Sequence, residues 1–228
     1  MRPALDPDAA RGMLRHVRWL GGGSGAGKST VAARLGAKFD LRTVNCDTFA
    51  AHADRSNPVD DPLLHAFMAM TMDERWLDRS PQEMTDTFHG HQGEGFDLVV
   101  EDVLAIPPDR PVVVEGFRLL PRLVAPLLSA PGRAVWLIPT PQFRRAAFAT
   151  RGSLWDIAGR TSDPPSALAK LLAREELFTD QVAAEAAALG LNVIGVNGDL
   201  SVAQLTDLVA ERLGLATNRP TPSPRPPK

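Results

Sequence analysis

Residues 22–30, with the sequence GGSGAGKST, carry the spacing G-x-x-x-x-G-K-S/T that binds phosphate groups. Glycines allow the backbone to turn tightly and to aim its N–H groups at phosphate oxygens. The ammonium of Lys28 would reach the β- and γ-phosphates, and the hydroxyl of Ser29 would ligate Mg²⁺. We therefore predict that a nucleoside triphosphate is bound by Gly22, Gly23, Ser24, Gly25, Ala26, Gly27, Lys28, Ser29 and Thr30.

The segments on either side of this loop supply the context that the motif requires. Residues 16–20 before it are predicted to form a strand. After it, Val31, Leu35 and Phe39 recur at the spacing of one helix face. A strand, a glycine-rich loop and a helix in this order place a helix N-terminus beneath the phosphates.

Two acidic residues follow predicted strands. Asp47 follows the second strand, and Glu115 follows the apolar run Val112–Val114. The carboxyl ends of parallel strands face the ligand crevice, so both side chains are expected near the loop. Asp47 would accept a proton from a substrate hydroxyl or hold Mg²⁺ through water, and Glu115 would organise Mg²⁺. The alternatives are a solvated turn residue for Asp47 and an exposed strand end for Glu115.

Five short apolar runs predict strands, and capping signals between them predict helices. Continuously apolar runs such as residues 135–138 are typical of strands buried on both faces of a parallel sheet. We predict a three-layer α/β/α fold of the P-loop NTPase class, with a five-stranded parallel sheet and a helical lid. The predicted strands cover residues 16–20, 41–46, 111–114, 134–138 and 191–196.

The predicted domain organisation is simple. Residues 1–13 form a loose N-terminal arm, residues 14–215 one domain with a lid at about residues 144–174, and residues 216–228 a proline-rich disordered tail.

Composition limits the classes of partner and location. The net charge of −2 argues against a broad nucleic-acid surface, and the single cysteine, Cys46, fits a reducing compartment. No signal peptide and no apolar run of about 20 residues is present, so a soluble, cytoplasmic protein without a membrane partner is expected.

Three motifs together resemble the uridine kinase and nicotinamide riboside kinase group. These are the glycine-rich loop, D-T-F at residues 47–49 and V-E-G-F at residues 114–117. The resemblance implies a P-loop kinase that uses ATP and Mg²⁺, in which Asp47 orients and deprotonates the acceptor hydroxyl and Glu115 helps to organise Mg²⁺. Ala50 departs from the family, where a second aromatic residue often follows D-x-F. Residues 66–101 match no pattern of the group, so they form either an acceptor-binding block or an amphipathic helical insert.

An arginine-rich stretch follows the fourth predicted strand. Guanidinium groups stabilise the charge that spreads over a transferring phosphoryl group, and in this kinase group such residues lie on a lid. We predict that Arg145 and Arg151 act in this way because they flank the entry to the lid. The other arginines of the stretch are Arg144, Arg160 and Arg174.

The sequence therefore predicts an ATP- and Mg²⁺-dependent kinase that phosphorylates a hydroxyl of a small molecule: a nucleoside, sugar, vitamin precursor or antibiotic. One alternative is a nucleoside monophosphate kinase. Another is a regulatory ATPase or GTPase, although the N-K-x-D guanine motif of a GTPase is not present. A third is a transporter-type or motor ATPase, although the chain has no L-S-G-G-Q signature and is short for a motor.

Overall fold

The computed structural model describes residues 6–47, 52–151 and 153–215, with only the backbone described for residues 151 and 153–155. Three predictions fall outside this part of the chain: the disordered tail, the roles of Thr48 and Phe49 in the D-T-F motif, and the side chain of Arg151.

The centre of the molecule is a five-stranded parallel sheet with the strand order β2-β3-β1-β4-β5. All five strands were predicted from the sequence, with ends that differ by at most two residues. The chain is thus a mixed α/β protein with helices on both faces of the sheet. The strands are β1 (Val17–Gly22), β2 (Arg42–Asn45), β3 (Val112–Glu115), β4 (Ala134–Pro139) and β5 (Val193–Val196).

Helices connect and cover the strands. Capping boxes at Ser80 and Ser201 begin two of these helices, and Gly190 and Gly214 follow helix ends with φ values of 64° and 63°. In the described part of the chain the helices are α1 (Pro7–Met13), α2 (Lys28–Phe39), α3 (Pro62–Ala69), α4 (Met72–Trp76), α5 (Pro81–Thr87), α6 (His89–Gln92), α7 (Phe96–Leu104), α8 (Pro121–Val124), α9 (Pro141–Arg151), α10 (Ser153–Ala158), α11 (Pro164–Ala188) and α12 (Val202–Arg212).

Successive residues of the central strands enter two different cores, which explains their continuous apolar character. Trp19 of β1 and Trp136 of β4 pack on one face of the sheet, against Phe178 of α11. Leu20 and Leu137 pack on the other face, against α2 and α12. Because both faces are covered, each side chain of the strand is buried whichever way it points.

The predicted loose N-terminal arm is wrong for the residues that the structure describes. Residues 7–13 form α1, whose N-terminus is capped by the carboxylate of Asp6. Ala10 is only 1% exposed and belongs to the core on the Trp19 face of the sheet. Arg11 donates to the carbonyl of Pro126 at 2.9 and 3.1 Å. The short apolar side chain at position 10 gave too weak a periodic signal to reveal this packing.

A third apolar cluster lies outside the two sheet cores. Phe67, Trp76 and Met84 from α3 to α5 pack against Ala158, Ala167 and Leu171. The segment without a family pattern and the segment predicted as a lid are therefore both helical, and they contact each other. None of the helices in the described part of the chain combines the length and apolar character needed to cross a bilayer.

Candidate functional site

The loop between β1 and α2, residues 22–27, requires glycine at several positions. Gly22, Gly25 and Gly27 have φ values of 124°, 79° and 86°, a region that residues with a Cβ rarely adopt. A Cβ on Gly22 would also lie 2.1 Å from the carbonyl oxygen of Leu137. The loop leads into the first turn of α2, where Ser29 and Thr30 are exposed.

Lys28 lies in the concave side of this loop. Its Nζ donates to the carbonyls of Gly22 and Gly23 at 3.1 and 3.0 Å, and the residue is 7% exposed. Burial lowers the pKa of the ammonium, while the nearby carboxylates of Asp47 and Glu115 raise it. The sequence predicted that these three charged groups would meet, and the carboxyl edge of the sheet brings them together.

Glu115, at the end of β3, is 3% exposed. Its Oε1 accepts a hydrogen bond from Asn45 Nδ2 at 2.7 Å. Its Oε2 is buried and has no hydrogen-bond partner among the described residues. Burial raises the pKa of Glu115, and the hydroxyl of Ser29 opposes that rise. A buried carboxylate oxygen without a donor is costly, so this atom is suited to bind a cation.

Asp47 follows β2 and faces the turn after β3. Its carboxylate accepts from the backbone N–H of Phe117 at 3.0 and 3.1 Å and from that of Arg118 at 3.4 Å. Gly116 permits this approach, because a Cβ there would lie 2.4 Å from Asp47 Oδ1. Burial raises the pKa of Asp47, and the ammonium of Lys28 and the two N–H groups lower it.

Arg118 is a residue of this site that sequence reasoning missed. It is 6% exposed, and its guanidinium donates to the carbonyls of Cys46 and Glu94 at 3.3 and 3.1 Å. It also donates to His52 Nδ1 at 2.6 Å. Since arginine has no acceptor, His52 carries its proton on Nε2, which donates to Asp102 at 2.7 Å. The only signal in the sequence was the position of Arg118 three residues after Glu115.

The arginines that follow β4 differ in burial, and the ones that line a cavity do not include Arg145, which the sequence singled out. Arg145 is 64% exposed, with its guanidinium 3.9 Å from the carboxylate of Glu176. Arg144 is buried and donates to the carbonyl of Glu175 and, at 2.9 Å, to Thr179 Oγ1. Arg160 and Arg174 line a cavity, so these two are better placed than Arg145 to contact a ligand.

That cavity has a volume of about 470 Å³ and includes Ser24 of the glycine-rich loop in its wall. Phe117, whose N–H binds Asp47, also lines it. The cavity therefore extends from the glycine-rich loop into the helical part of the molecule. Its aromatic wall consists of Phe67, Trp76, Phe88, Phe117 and Phe148.

The segment of residues 66–101 contributes to the site in two ways. Several of its polar residues have structural roles: Asp73 accepts from the N–H of Ser162 at 2.8 Å, and Glu94 accepts from two N–H groups at the start of α3. His91 stacks on Phe178 with ring centroids 3.8 Å apart. The aromatic residues of the same segment line the cavity, and acceptor binding by this segment stays a prediction.

Comparisons with known proteins add little to this description. No family model and no curated protein matches the chain. A crystal structure of an uncharacterized protein from Eubacterium ventriosum ATCC 27560 is similar to it with a TM-score of 0.38 and 10% sequence identity. That similarity covers 87% of this chain and 97% of the other.

Proposed function

We propose that this protein is an ATP- and Mg²⁺-dependent kinase that transfers the γ-phosphoryl group to a hydroxyl of a small molecule. One observation carries the proposal: Lys28, Ser29, Asp47 and Glu115 meet at the carboxyl edge of a parallel sheet, beside a ligand-sized cavity. Phosphoryl transfer needs these groups, namely a fixed cation, metal ligands and a base. The three sequence motifs support placing the protein with the P-loop kinases that resemble uridine kinase and nicotinamide riboside kinase.

The glycine-rich loop fits the phosphate chain of ATP. Its carbonyls bind the ammonium of Lys28 here, and its conformation depends on glycines at positive φ. The N-terminus of the twelve-residue helix α2 adds a partial positive charge at the same place. Lys28 and the loop amides would hold the β- and γ-phosphates, while ATP supplies the phosphoryl group.

Glu115 and Ser29 fit Mg²⁺. The exposed hydroxyl of Ser29 and the partnerless Oε2 of Glu115 are hard oxygen ligands of the kind that Mg²⁺ prefers. Asp47 lies near enough to both Lys28 and Glu115 to influence their pKa values, so it also contributes charge to this centre.

Asp47 would act as the base. Its carboxylate is fixed by two backbone N–H groups, and burial raises its pKa toward the range in which a carboxylate accepts a proton readily. Arg118, held by Cys46 and His52, would keep the turn after β3 in place and thereby position Asp47.

The cellular location follows from the same class of enzyme. Cys46, the one cysteine of the chain, is a buried free thiol. A free thiol and a need for ATP both fit the cytoplasm. We propose a small-molecule acceptor as the partner, with no nucleic acid or membrane.

The test is acceptor-dependent release of ADP, measured with panels of nucleosides, sugars, vitamin precursors and aminoglycosides. Lys28→Ala should lower turnover about 100-fold or more, on the order of 3 kcal/mol, because a fixed charge at the transferring group is lost. Lys38→Ala is the matched control: Lys38 lies at the other end of α2 and pairs with Asp207 on the surface. Wild-type turnover by Lys28→Ala would overturn the proposal. ATP hydrolysis that responds to none of the acceptors would favour a regulatory ATPase.

A further inference from the structure

The walls of the cavity described above carry an excess of positive charge. Among the described residues of the wall there are three arginines, Arg75, Arg160 and Arg174, and a single carboxylate, that of Glu175. The two histidines of the wall do not add charge, because burial lowers the pKa of His89 to about 4 and that of His91 well below its ordinary value.

The charges of Arg174 and Glu175 neutralise each other, so the excess of positive charge in the wall comes from the other two arginines. The guanidinium of Arg174 lies 2.8 Å from the Glu175 carboxylate, with both side chains about 5% exposed. Among the described residues, no carboxylate forms an ion pair with Arg75 or Arg160. Arg160 is exposed and Arg75 is half-buried, which places one uncompensated charge at the rim and one deeper in the wall.

Two donors in this wall also lack acceptors. Arg75 Nε and Arg174 Nε are buried, and neither has a hydrogen-bond partner among the described residues. A buried guanidinium N–H without an acceptor is costly in free energy, and an anion bound close to either guanidinium would offset that cost.

The arginines lie directly on the aromatic part of the wall. The guanidinium of Arg75 is 4.7 Å from the ring centroid of Phe67, and that of Arg174 is 4.2 Å from Phe88 and 5.2 Å from Trp76. A ligand that contacts the rings is therefore also within the field of the cations. Flat apolar groups favour such rings, because they bury surface and stack at the same time.

We propose that the phosphate acceptor is an aromatic anion: a molecule with a planar ring, a hydroxyl group and a carboxylate or phosphate that Arg75 and Arg160 bind. That this ligand is the phosphate acceptor rests on the proposed kinase function. That the ligand is an aromatic anion rests on the lining of the cavity alone. The ring lies against Phe67, Trp76 and Phe88, and the hydroxyl points toward Asp47 past Phe117.

Two dyes of similar shape separate charge from ring binding without ATP. Anilinonaphthalene sulfonate is an aromatic anion, and N-phenylnaphthylamine is its neutral counterpart. Fluorescence titration of the full chain should show tighter binding of the anion. Arg75→Gln and Arg160→Gln should each weaken the anion about tenfold and change the neutral dye less than twofold, since each removes one charged donor. Arg212→Gln, an exposed arginine on α12, is the control and should change neither.

Displacement of the bound anionic dye then identifies the acidic group. Para-hydroxymethylbenzoate is compared with benzenedimethanol, and a nucleoside monophosphate with its nucleoside. Stronger displacement by the benzoate indicates a carboxylate, and stronger displacement by the monophosphate indicates a phosphate. The proposal is overturned if both arginine variants leave the anion's affinity unchanged, if they weaken both dyes equally, or if the neutral compounds displace the dye as well as the anions do.

The dye experiment can refute the proposed ligand class without refuting the kinase proposal. Lys28→Ala should keep the dye affinities of the wild type, because Lys28 does not line the cavity. A kinase with a neutral acceptor would release ADP normally in Arg75→Gln while failing the dye test. Near-ultraviolet circular dichroism of each variant checks that the aromatic wall is still packed.

Discussion

Two backbone N–H groups, of Phe117 and Arg118, point at the carboxylate of Asp47, and the ammonium of Lys28 lies close enough to affect its pKa. These contacts stabilise the ionised form. Burial acts in the opposite direction and is the larger effect, so the pKa of Asp47 is raised. A carboxylate whose pKa is raised in this way is a stronger base than an exposed aspartate.

Asp47→Asn should lower acceptor-dependent turnover about 100-fold or more and leave the affinity for ATP close to that of the wild type. Asparagine keeps the size of the side chain but cannot accept a proton. In the wild type, turnover should fall as the pH decreases through the raised pKa of Asp47, because the protonated form is not a base. The variant should lack this acid limb. ADP release across a pH range, with calorimetric titration of ATP, measures both effects.

Asp109→Asn, at an exposed turn, is the control for a loss of one negative charge. Full turnover by Asp47→Asn would show that Asp47 is not the base. Loss of ATP binding would instead assign its carboxylate to the Mg²⁺ shell and leave Glu115 as the candidate base.

At the scale of elements, the loop after β1 is held against β4. The backbone N–H of Gly23 donates to the carbonyl of Leu137 at 3.0 Å, and Gly22 pairs with Leu137 in the sheet register. The loop conformation is therefore set by the sheet as well as by its own glycines.

Gly22→Ala should destabilise the protein by about 2 kcal/mol or more, because the new Cβ would meet the backbone of Leu137 at a positive φ. Gly12→Ala is the matched control. Gly12 lies in α1, where a Cβ meets no atom within 4 Å, and alanine is the better helix former by about 1 kcal/mol. Urea denaturation of both variants measures the difference. Equal stability of Gly22→Ala and the wild type would show that Gly22 does not lie this close to the backbone of Leu137.

At the scale of the whole molecule, α1 closes one end of the core on the Trp19 face of the sheet. Ala10 and Leu14 are both buried there, and Arg11 binds the carbonyl of Pro126. The helix contributes buried apolar surface and hydrogen bonds, although residues that it contacts, such as Pro126, are distant from it in the sequence.

Removal of residues 1–13 should therefore lower the melting temperature by about 2 °C or more, corresponding to a loss of about 1–3 kcal/mol from burial and hydrogen bonds. Removal of residues 217–228, which carry no large apolar side chain, should leave the melting temperature unchanged. Calorimetry of the two truncated proteins tests both. An unchanged melting temperature without residues 1–13 would contradict the packing of α1.

The sequence by itself determined the sheet and the residues at its carboxyl edge. Val112–Val114 and residues 135–138 are short, continuously apolar runs between turn signals, which is typical of strands buried on both faces. Parallel strands share one carboxyl edge, so the placement of Asp47 and Glu115 beside the glycine-rich loop followed from their positions after strands.

Only the tertiary structure decided what surrounds that edge. Arg118 contacts His52, which is 66 positions away in the sequence. The side chain of Arg145 is exposed to solvent, whereas that of Arg174, on a neighbouring helix, is buried. The cavity joins Phe67 and Trp76 to Arg160, which lies on a distant segment. Such contacts depend on how helices pack against one another, and local periodicity carries no information about which face of one helix meets which face of another.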